Sequence, residues 1–464
     1  MKTRILRAAA VVWVLLACPS AGAPAPAERT LFLVLDCVPY SLVKRLTDPE
    51  LGDAAMFQGL KGPIPLISSF PSTTSVALSG ILEPFGLGIS PGYEARFFDW
   101  NKRKVRGGGL LSFYRIDFPW RDFFDWNRKG PIRRMFGAAR PIKSSIAWLD
   151  RSIGEFLDSD QSEFFVYIGS TDTLVHLRGP EALVEVFEAL ERLLAEARRK
   201  QPARPFRVVI LSDHGIAGGE PLQNIWRAVR RQLKKSGWNP VQRIRHDSDV
   251  ALSPFGLVSS FEAYVDSQNT REVARLLADV PGVELCTLPE AGGWTVFGES
   301  AEAHIKNRLS GGQSEWSYET KQGDPLGYLP ILDRLRNAPN EFWFEDSRWL
   351  EASALADYPD ALYRIARTYD LVANAASIAC SLKRGFMFGA PKTGLAAKPA
   401  KGRLAWTHGA LRREDTLGFI MSDRDDWNPP AAVRFDASLV PFALTMSQNR
   451  ALSGDAGQGL QLNE

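Results

Sequence analysis

Histidine is scarce in this chain, with five in 464 residues, and cysteine is scarcer still, with four. No CxxC pair occurs, which argues against a thiolate zinc site. Beyond the N-terminal segment only Cys37, Cys286 and Cys380 remain. Three cysteines so widely spaced exclude a disulfide framework but allow one bridge in an oxidising compartment. A dominant charge is also missing, since 56 Lys and Arg face 53 Asp and Glu. The apolar run Ala8–Ala17 is too short for a permanent membrane anchor. Preceded by Lys2, Arg4 and Arg7, it has the form of a secretory signal ending near Ala27, and Leu15-Leu16-Ala17-Cys18 offers a lipoprotein box as the alternative. Residues 28–464 hold 53 of the 56 basic residues and all 53 acidic ones. The basic balance therefore belongs to the leader, and no nucleic-acid polymer is expected as a partner. The expected location is periplasmic or secreted, with membrane contact only through a lipidated Cys18.

What is present is a hydrophobic content of 45%, enough for a sizeable core. The most informative stretch is 208–215, VVILSDHG. Val208 to Leu211 read as a short buried strand that delivers Asp213 and His214 to its end, before Gly215 turns the backbone away. In an open α/β sheet, ligands bind at the carboxyl ends of the strands. Two further stretches repeat the pattern of strand followed by acid. Residues 30–36, TLFLVLD, end on Asp36, with a helix expected from Ser41 to Leu46. Residues 164–176, FFVYIGSTDTLVH, carry Asp172 and His176 four apart, which places both on one face of a helix as a metal chelate requires. In FPSTTSVALSG, residues 70–80, Ser72 to Ser75 lead into a helix N-terminus, where free N–H groups favour an anion. His408 stands beside a glycine in AWTHGALRRED, residues 405–415. The remaining histidines, His246 and His304, read as surface residues.

Each motif also has an ordinary structural origin: an Asp capping a helix, a Ser/Thr cap, a chance D-x-x-x-H. The run from Lys102 to Lys143 holds twelve basic and three acidic residues among aromatics such as Phe118, Trp120, Phe124 and Trp126. It suits either a phosphate-bearing substrate with a flat ring or an anionic surface, although a loop with aromatics tucked beneath it is the commoner origin. An amphipathic helix starts at Pro180, with Leu183, Val186, Phe187, Leu190 and Leu194 on one face, and another spans 222–236. From about residue 250 short strands and turns predominate, followed by an expected long helix over 359–382.

Taken in order, Asp36, Thr73-Thr74, Asp172 with His176, Asp213 with His214, and His408 resemble the alkaline phosphatase superfamily, in its type I phosphodiesterase/nucleotide pyrophosphatase branch. LVLD, FPSTT, STDTLVH, LSDHG and THGAL carry the resemblance. It implies an alkaline-phosphatase-like α/β fold, a central mostly parallel sheet sandwiched by helices with an inserted α+β cap. The expected layout is a signal over 1–27, core over 28–220, cap over 221–400, core again over 401–450 and a tail over 451–464. The resemblance further implies two divalent ions, zinc first, with manganese or iron as alternatives. Asp172, His176 and His408 would hold one; Asp36, Asp213 and His214 the other, with Thr74 as a further ligand and as the nucleophile. Thr74 is preferred to Thr73 because the related motifs place the nucleophile three residues after the proline. Two departures stand out: Cys37 where glycine is frequent, and Glu83-Pro84-Phe85-Gly86 where a histidine-containing turn is frequent.

The implied activity is hydrolysis of phosphodiester or nucleotide pyrophosphate bonds in a small substrate through a phospho-threonine. A two-metal site of nitrogen and oxygen donors suits in-line displacement at phosphorus. A monoesterase, a phosphonate hydrolase or a phosphotransferase would use the same residues. The reading from another class is a non-catalytic envelope binding protein that kept the fold, although a scaffold alone would need none of these side chains.

Overall fold

The computed structural model describes residues 29–51, 55–82, 89–107, 118–127, 140–254, 256–338, 340–389, 404–436 and 439. The signal segment with Cys18, Glu83-Pro84-Phe85-Gly86, much of the basic and aromatic run, and the tail lie outside the described residues.

The sequence runs that alternate between strand and amphipathic helix build the first layer. Its strands are β1 (Arg29–Leu35), β2 (Lys61–Ile67), β3 (Glu163–Ile168), β4 (Phe206–Leu211), β5 (Leu417–Ser422) and β6 (Val433–Arg434). They form a six-stranded sheet in the order β6-β2-β5-β4-β1-β3. β1 runs parallel to both β3 and β4, with Leu35 opposite Ile168 and Val34 opposite Leu211. β5 is antiparallel to β4 and β2. This gives a mixed sheet in which β1 to β4 share one direction.

The helices are α1 (Tyr40–Thr47), α2 (Thr74–Leu82), α3 (Pro141–Asp158), α4 (Ser170–Arg178) and α5 (Val184–Lys200). α1 matches its expected position within a residue at each end. The helix expected from Pro180 opens with a 3₁₀ turn, Pro180–Leu183, before α5.

Every residue of β1 is buried, and from Leu31 onward its sequence is continuously apolar. Leu31, Leu33 and Leu35 pack against Leu149, Ile153 and Phe156 of α3 and Phe187, Leu190 and Leu194 of α5. Phe32 and Val34 face the other way, onto Ala77, Leu78 and Ile81 of α2. Each fully buried Leu, Ile or Phe contributes roughly 1.5–3 kcal/mol, so the sheet is clamped from both sides. The described aromatics of the basic run join these cores: Phe118, Trp120 and Phe124 pack on the α2 face and Trp126 on the other. Those side chains pack into the cores, the commoner origin weighed for such a run.

The chain between β4 and β5 contributes all nine strands of a second, largely antiparallel sheet. Helices Trp226–Lys235 and Thr270–Ala278 pack against it through Val229, Leu233, Val273 and Leu277. Trp226–Lys235 is shorter than the expected 222–236 because Gln223–Asn224 pairs with Phe386–Met387 as a short ribbon. Two ten-residue strands, Ala301–Ser310 and Gln313–Gln322, form a hairpin there.

The expected helix over 359–382 is corrected by the structure. Only Ala361–Arg367 is α-helical, and Ile378–Leu382 is a fully buried strand between Ser260–Tyr264 and Val283–Glu290. Opposite neighbours on this strand are Cys380 and Cys286, joined as a disulfide that closes a separation of 94 residues. This is the single bridge that the cysteine count allowed.

Candidate metal centre

Parallel direction decides where the chemistry collects. β1, β3 and β4 all end at one edge, so Asp36, the start of α4 and the Asp213-His214 pair arrive together. β2 ends at the same edge and feeds Ser72 to Thr74; β5 begins there, so the segment before it returns with His408. Seven candidates from five separate stretches of sequence are thereby brought together. One ligand atom each from Asp36, Asp213 and His214 lie within 4.8 Å of one another, as do those of Asp172, His176 and His408.

In the first trio Asp36 is 5% exposed and the other two are fully buried. Thr74 Oγ1 donates to Asp36 Oδ1 at 3.0 Å and lies 3.3 Å from His214 Nε2. Tyr167 donates its hydroxyl to Asp36 Oδ2 in a short contact. The Cys37 N–H donates to Asp213 Oδ1 at 3.2 Å, while Asp213 Oδ2 is buried without a hydrogen-bond partner. In the second trio, on α4, Asp172 Oδ1 lies 3.1 Å from His176 Nε2 and 3.4 Å from His408 Nε2. Neither approach has hydrogen-bond alignment, and this oxygen too is buried without a partner. Thr73 differs from Thr74: its hydroxyl donates to the Tyr93 carbonyl at 3.3 Å.

All three rings are fixed through Nδ1. His176 Nδ1 meets the Trp406 carbonyl at 2.9 Å, His214 Nδ1 the Gly215 carbonyl at 3.0 Å and His408 Nδ1 the Ser72 carbonyl at 2.9 Å. In the neutral ring, an Nδ1–H donated to a carbonyl leaves the lone pair on Nε2, the tautomer a metal-ligating imidazole needs. The buried carboxylate oxygens without partners, the anchored rings and the all nitrogen-and-oxygen donor sets fit divalent cations.

Backbone contacts hold the edge in place. Thr171 Oγ1 donates to the Asp36 carbonyl at 2.6 Å, and Val38 N–H to Ser212 Oγ at 2.8 Å. Trp406–Thr407 pairs with Ala217–Gly218, which brings the His408 turn beside β4. From the second sheet, Ser259 N–H donates to the His408 carbonyl at 2.7 Å, and Ser259 Oγ receives the Ala410 N–H at 2.9 Å. Gly409 has φ +114°, and Gly215 packs so close that a Cβ would stand 2.2 Å from the Glu414 carbonyl oxygen. Only glycine fits either position. Arg364, fully enclosed, donates to the Ser69 and Leu411 carbonyls and to Ser72 Oγ and Thr416 Oγ1, tying the threonine loop to the His408 segment.

Electrostatics reflect three carboxylates in one buried pocket. Burial, then the charges of Asp213 and Asp172, push the Asp36 carboxyl well above its usual range. For Asp172 burial acts in the same direction but His176 and His408 outweigh it and hold the carboxyl low. Burial lowers His214 to about 4. Burial opposes protonation of His408 as well, yet the close Asp172 carboxylate raises it to about 9. Burial also lifts Glu94, whose charge is felt by His408, to about 7, and Glu262 to about 8.

Sequence reasoning gave no role to Tyr167, Arg364 or Glu94. A hydroxyl in the otherwise apolar strand FFVYI was the available signal for Tyr167. His304, read as a surface residue, is partly exposed, with its Nδ1 2.9 Å from Thr295 Oγ1. A cavity of about 540 Å³ opens elsewhere, lined by Trp100, Asp266, Arg271 and Glu290. Its charges are already paired, Asp266 with Arg103 and Arg271 with Glu290 and Glu302.

Fold and site together describe an α/β chain with a buried, acid-rich donor cluster at the carboxyl edge of its sheet. No family model and no curated protein matches the chain. Among solved structures it is similar to an inactive murine ectonucleotide pyrophosphatase/phosphodiesterase 5 in complex with AMP, at 12% identity and TM-score 0.46, covering 90% of this chain and 96% of that one. It is also similar to phosphonoacetate hydrolase from Sinorhizobium meliloti 1021 in complex with phosphonoformate, at 15% identity and TM-score 0.45, covering 90% and 97%.

Proposed function

We propose that this chain is a metal-dependent phosphohydrolase that cleaves phosphodiester or nucleotide pyrophosphate bonds through a phospho-threonine on Thr74. One observation carries the reading: two donor trios meet at one sheet edge with the Thr74 hydroxyl on the rim of the first. Asp36, Asp213 and His214 would hold one divalent cation, and Asp172, His176 and His408 the other. When bound, such ions supply charge neutralisation for the non-bridging phosphoryl oxygens and lower the pKa of a coordinated hydroxyl.

The chain's own residues supply the rest. Thr74 begins α2, and a helix N-terminus favours an anion beside it. Asp36 and His214 accept or share the Thr74 proton and aim its oxygen. Attack by Oγ1 on phosphorus forms the Thr–O–P bond as the bond to the leaving alcohol or phosphate breaks. Water then cleaves Thr–O–P and restores the hydroxyl. Burial of the cluster keeps competing solvent away from Asp213 and His214.

Zinc-supplemented protein should turn over bis(4-nitrophenyl) phosphate faster than 4-nitrophenyl phosphate. Thr74→Ala should lower turnover by about 10³-fold or more while the zinc content measured by elemental analysis stays near that of the parent. Full activity in Thr74→Ala would remove the covalent route. Absence of turnover on both esters by zinc-loaded, folded protein would leave the binding-module reading. The location we favour for this activity is the periplasm or the exterior.

A further inference from the structure

Cys37 directly follows Asp36, and its side chain is completely buried. It is not a thiol standing alone. Its Sγ lies within 4.8 Å of a ring nitrogen of His214 and one of His408, which are also within 4.8 Å of each other. Those two histidines belong to different trios, so the sulfur sits where the two halves of the centre adjoin. The rings themselves are stacked, with centroids 4.1 Å apart. The thiol's own hydrogen bond is a long one, to the Gly215 carbonyl at 3.5 Å. Asp213, whose Oδ1 accepts the Cys37 N–H, is fully buried with Oδ2 unpartnered and 3.5 Å from His214 Nε2. The histidine that the sulfur approaches therefore also faces a buried carboxylate oxygen that a cation would neutralise.

The backbone adds a second argument. Cys37 has φ +60°, a left-handed conformation that glycine adopts freely and that is strained for a residue bearing a side chain. Glycine would relieve that strain and still provide the N–H for Asp213. The sulfur thus stands, against local conformational preference, within reach of a ring nitrogen from each trio.

We infer that Cys37 is a further ligand of the metal centre, a thiolate that biases it toward thiophilic cations such as zinc, cobalt or cadmium and away from manganese and magnesium. The inference rests on the metal-centre reading above and refines it. On binding, the S–H bond breaks, its electron pair goes to the cation and the proton leaves to solvent. Soft sulfur ligands select zinc over ions that prefer all-oxygen surroundings.

Cobalt(II) titration of the chelator-treated full chain tests this without relying on activity. Cobalt should produce visible ligand-field bands together with a near-ultraviolet sulfur-to-cobalt charge-transfer band. The latter should persist in Cys18→Ser and vanish in both Cys37→Ser and Cys37→Gly, the second of which suits the left-handed backbone. In the Cys37 variants the preference for cadmium over manganese should fall by roughly tenfold or more. Ligand-field bands without a sulfur band in the parent, or a sulfur band that survives Cys37→Gly, would overturn the inference and leave the phosphohydrolase reading intact. No cobalt spectrum at all would overturn both.

Discussion

Tyr167 shows how a residue outside the donor set can govern it. Its hydroxyl and that of Thr74 occupy the two oxygens of Asp36, so the carboxylate is held in one orientation from opposite sides. Tyr167→Phe should lower zinc affinity or turnover by roughly 10- to 100-fold without unfolding the protein, since the ring would still pack against Trp120 and Phe124. Competition against a chromogenic chelator and a thermal melt would separate the two effects. His408 makes a prediction about pH. Its imidazole is raised to about 9, so below that pH a cation must displace its proton. Zinc affinity should therefore rise from pH 6 to about pH 9, by up to roughly tenfold per unit for one displaced proton, and level off above it; a flat profile would contradict the assignment. The sign for stability of the metal-free protein is the reverse. The Asp172–His408 contact contributes fully below about pH 6.5 and is lost as pH climbs through 9. The acids and histidines were legible in the sequence because few side chains can do their chemistry. Tyr167 was not, because an aromatic in a strand is ordinarily core.

At the scale of the elements, legibility followed periodicity and burial. The three strand-plus-acid units could be read because a short apolar run that stops at an acid marks a buried strand reaching the edge of its sheet. The segment 359–382 could not. Ala361, Ile365, Tyr369 and Ala373 share a four-residue spacing, but the helix stops at Arg367, and the buried run Ile378–Leu382 is too short for periodicity to distinguish strand from helix. What settles it is non-local, namely antiparallel neighbours on both sides. Arg364 belongs to the part of this segment that stayed helical, and its donors end on the two loops carrying Thr74 and His408. Burial lowers its pKa to about 10, yet it remains charged at neutral pH. Arg364→Ala would strand several buried acceptors at once and should cost roughly 3–5 kcal/mol in urea denaturation. Loss of less than about 1 kcal/mol would mean that the loops are held by other contacts.

The whole molecule couples two sheets through the His408 turn. Ser259 and Ser381, both in or beside strands of the second sheet, bond to the backbone around His408 and Leu411. Cys380 neighbours Ser381 and is bridged to Cys286, so the disulfide secures the strand from which that support comes. Cys380→Ala should lower global stability by about 2–5 kcal/mol, as expected for a bridge closing a long loop. It should also weaken zinc binding, because the turn bearing His408 would lose part of its backing. Calorimetry with and without zinc would read both effects, and unchanged zinc binding in the variant would show that the sheets act independently. Neither the pairing nor the support could be seen in the sequence, where Cys286 stands 94 residues before Cys380 and Ser259 stands 151 before Ala410.

The return of the chain to the sheet edge also fixes a timetable. Asp36, Thr74, Asp172, His176, Asp213 and His214 all leave the ribosome well before residue 408. A nascent chain therefore carries six of the seven groups before it has the last. Premature termination anywhere between His214 and that point would release polypeptides with an incomplete centre, so the constellation closes only once the His408 segment has been made.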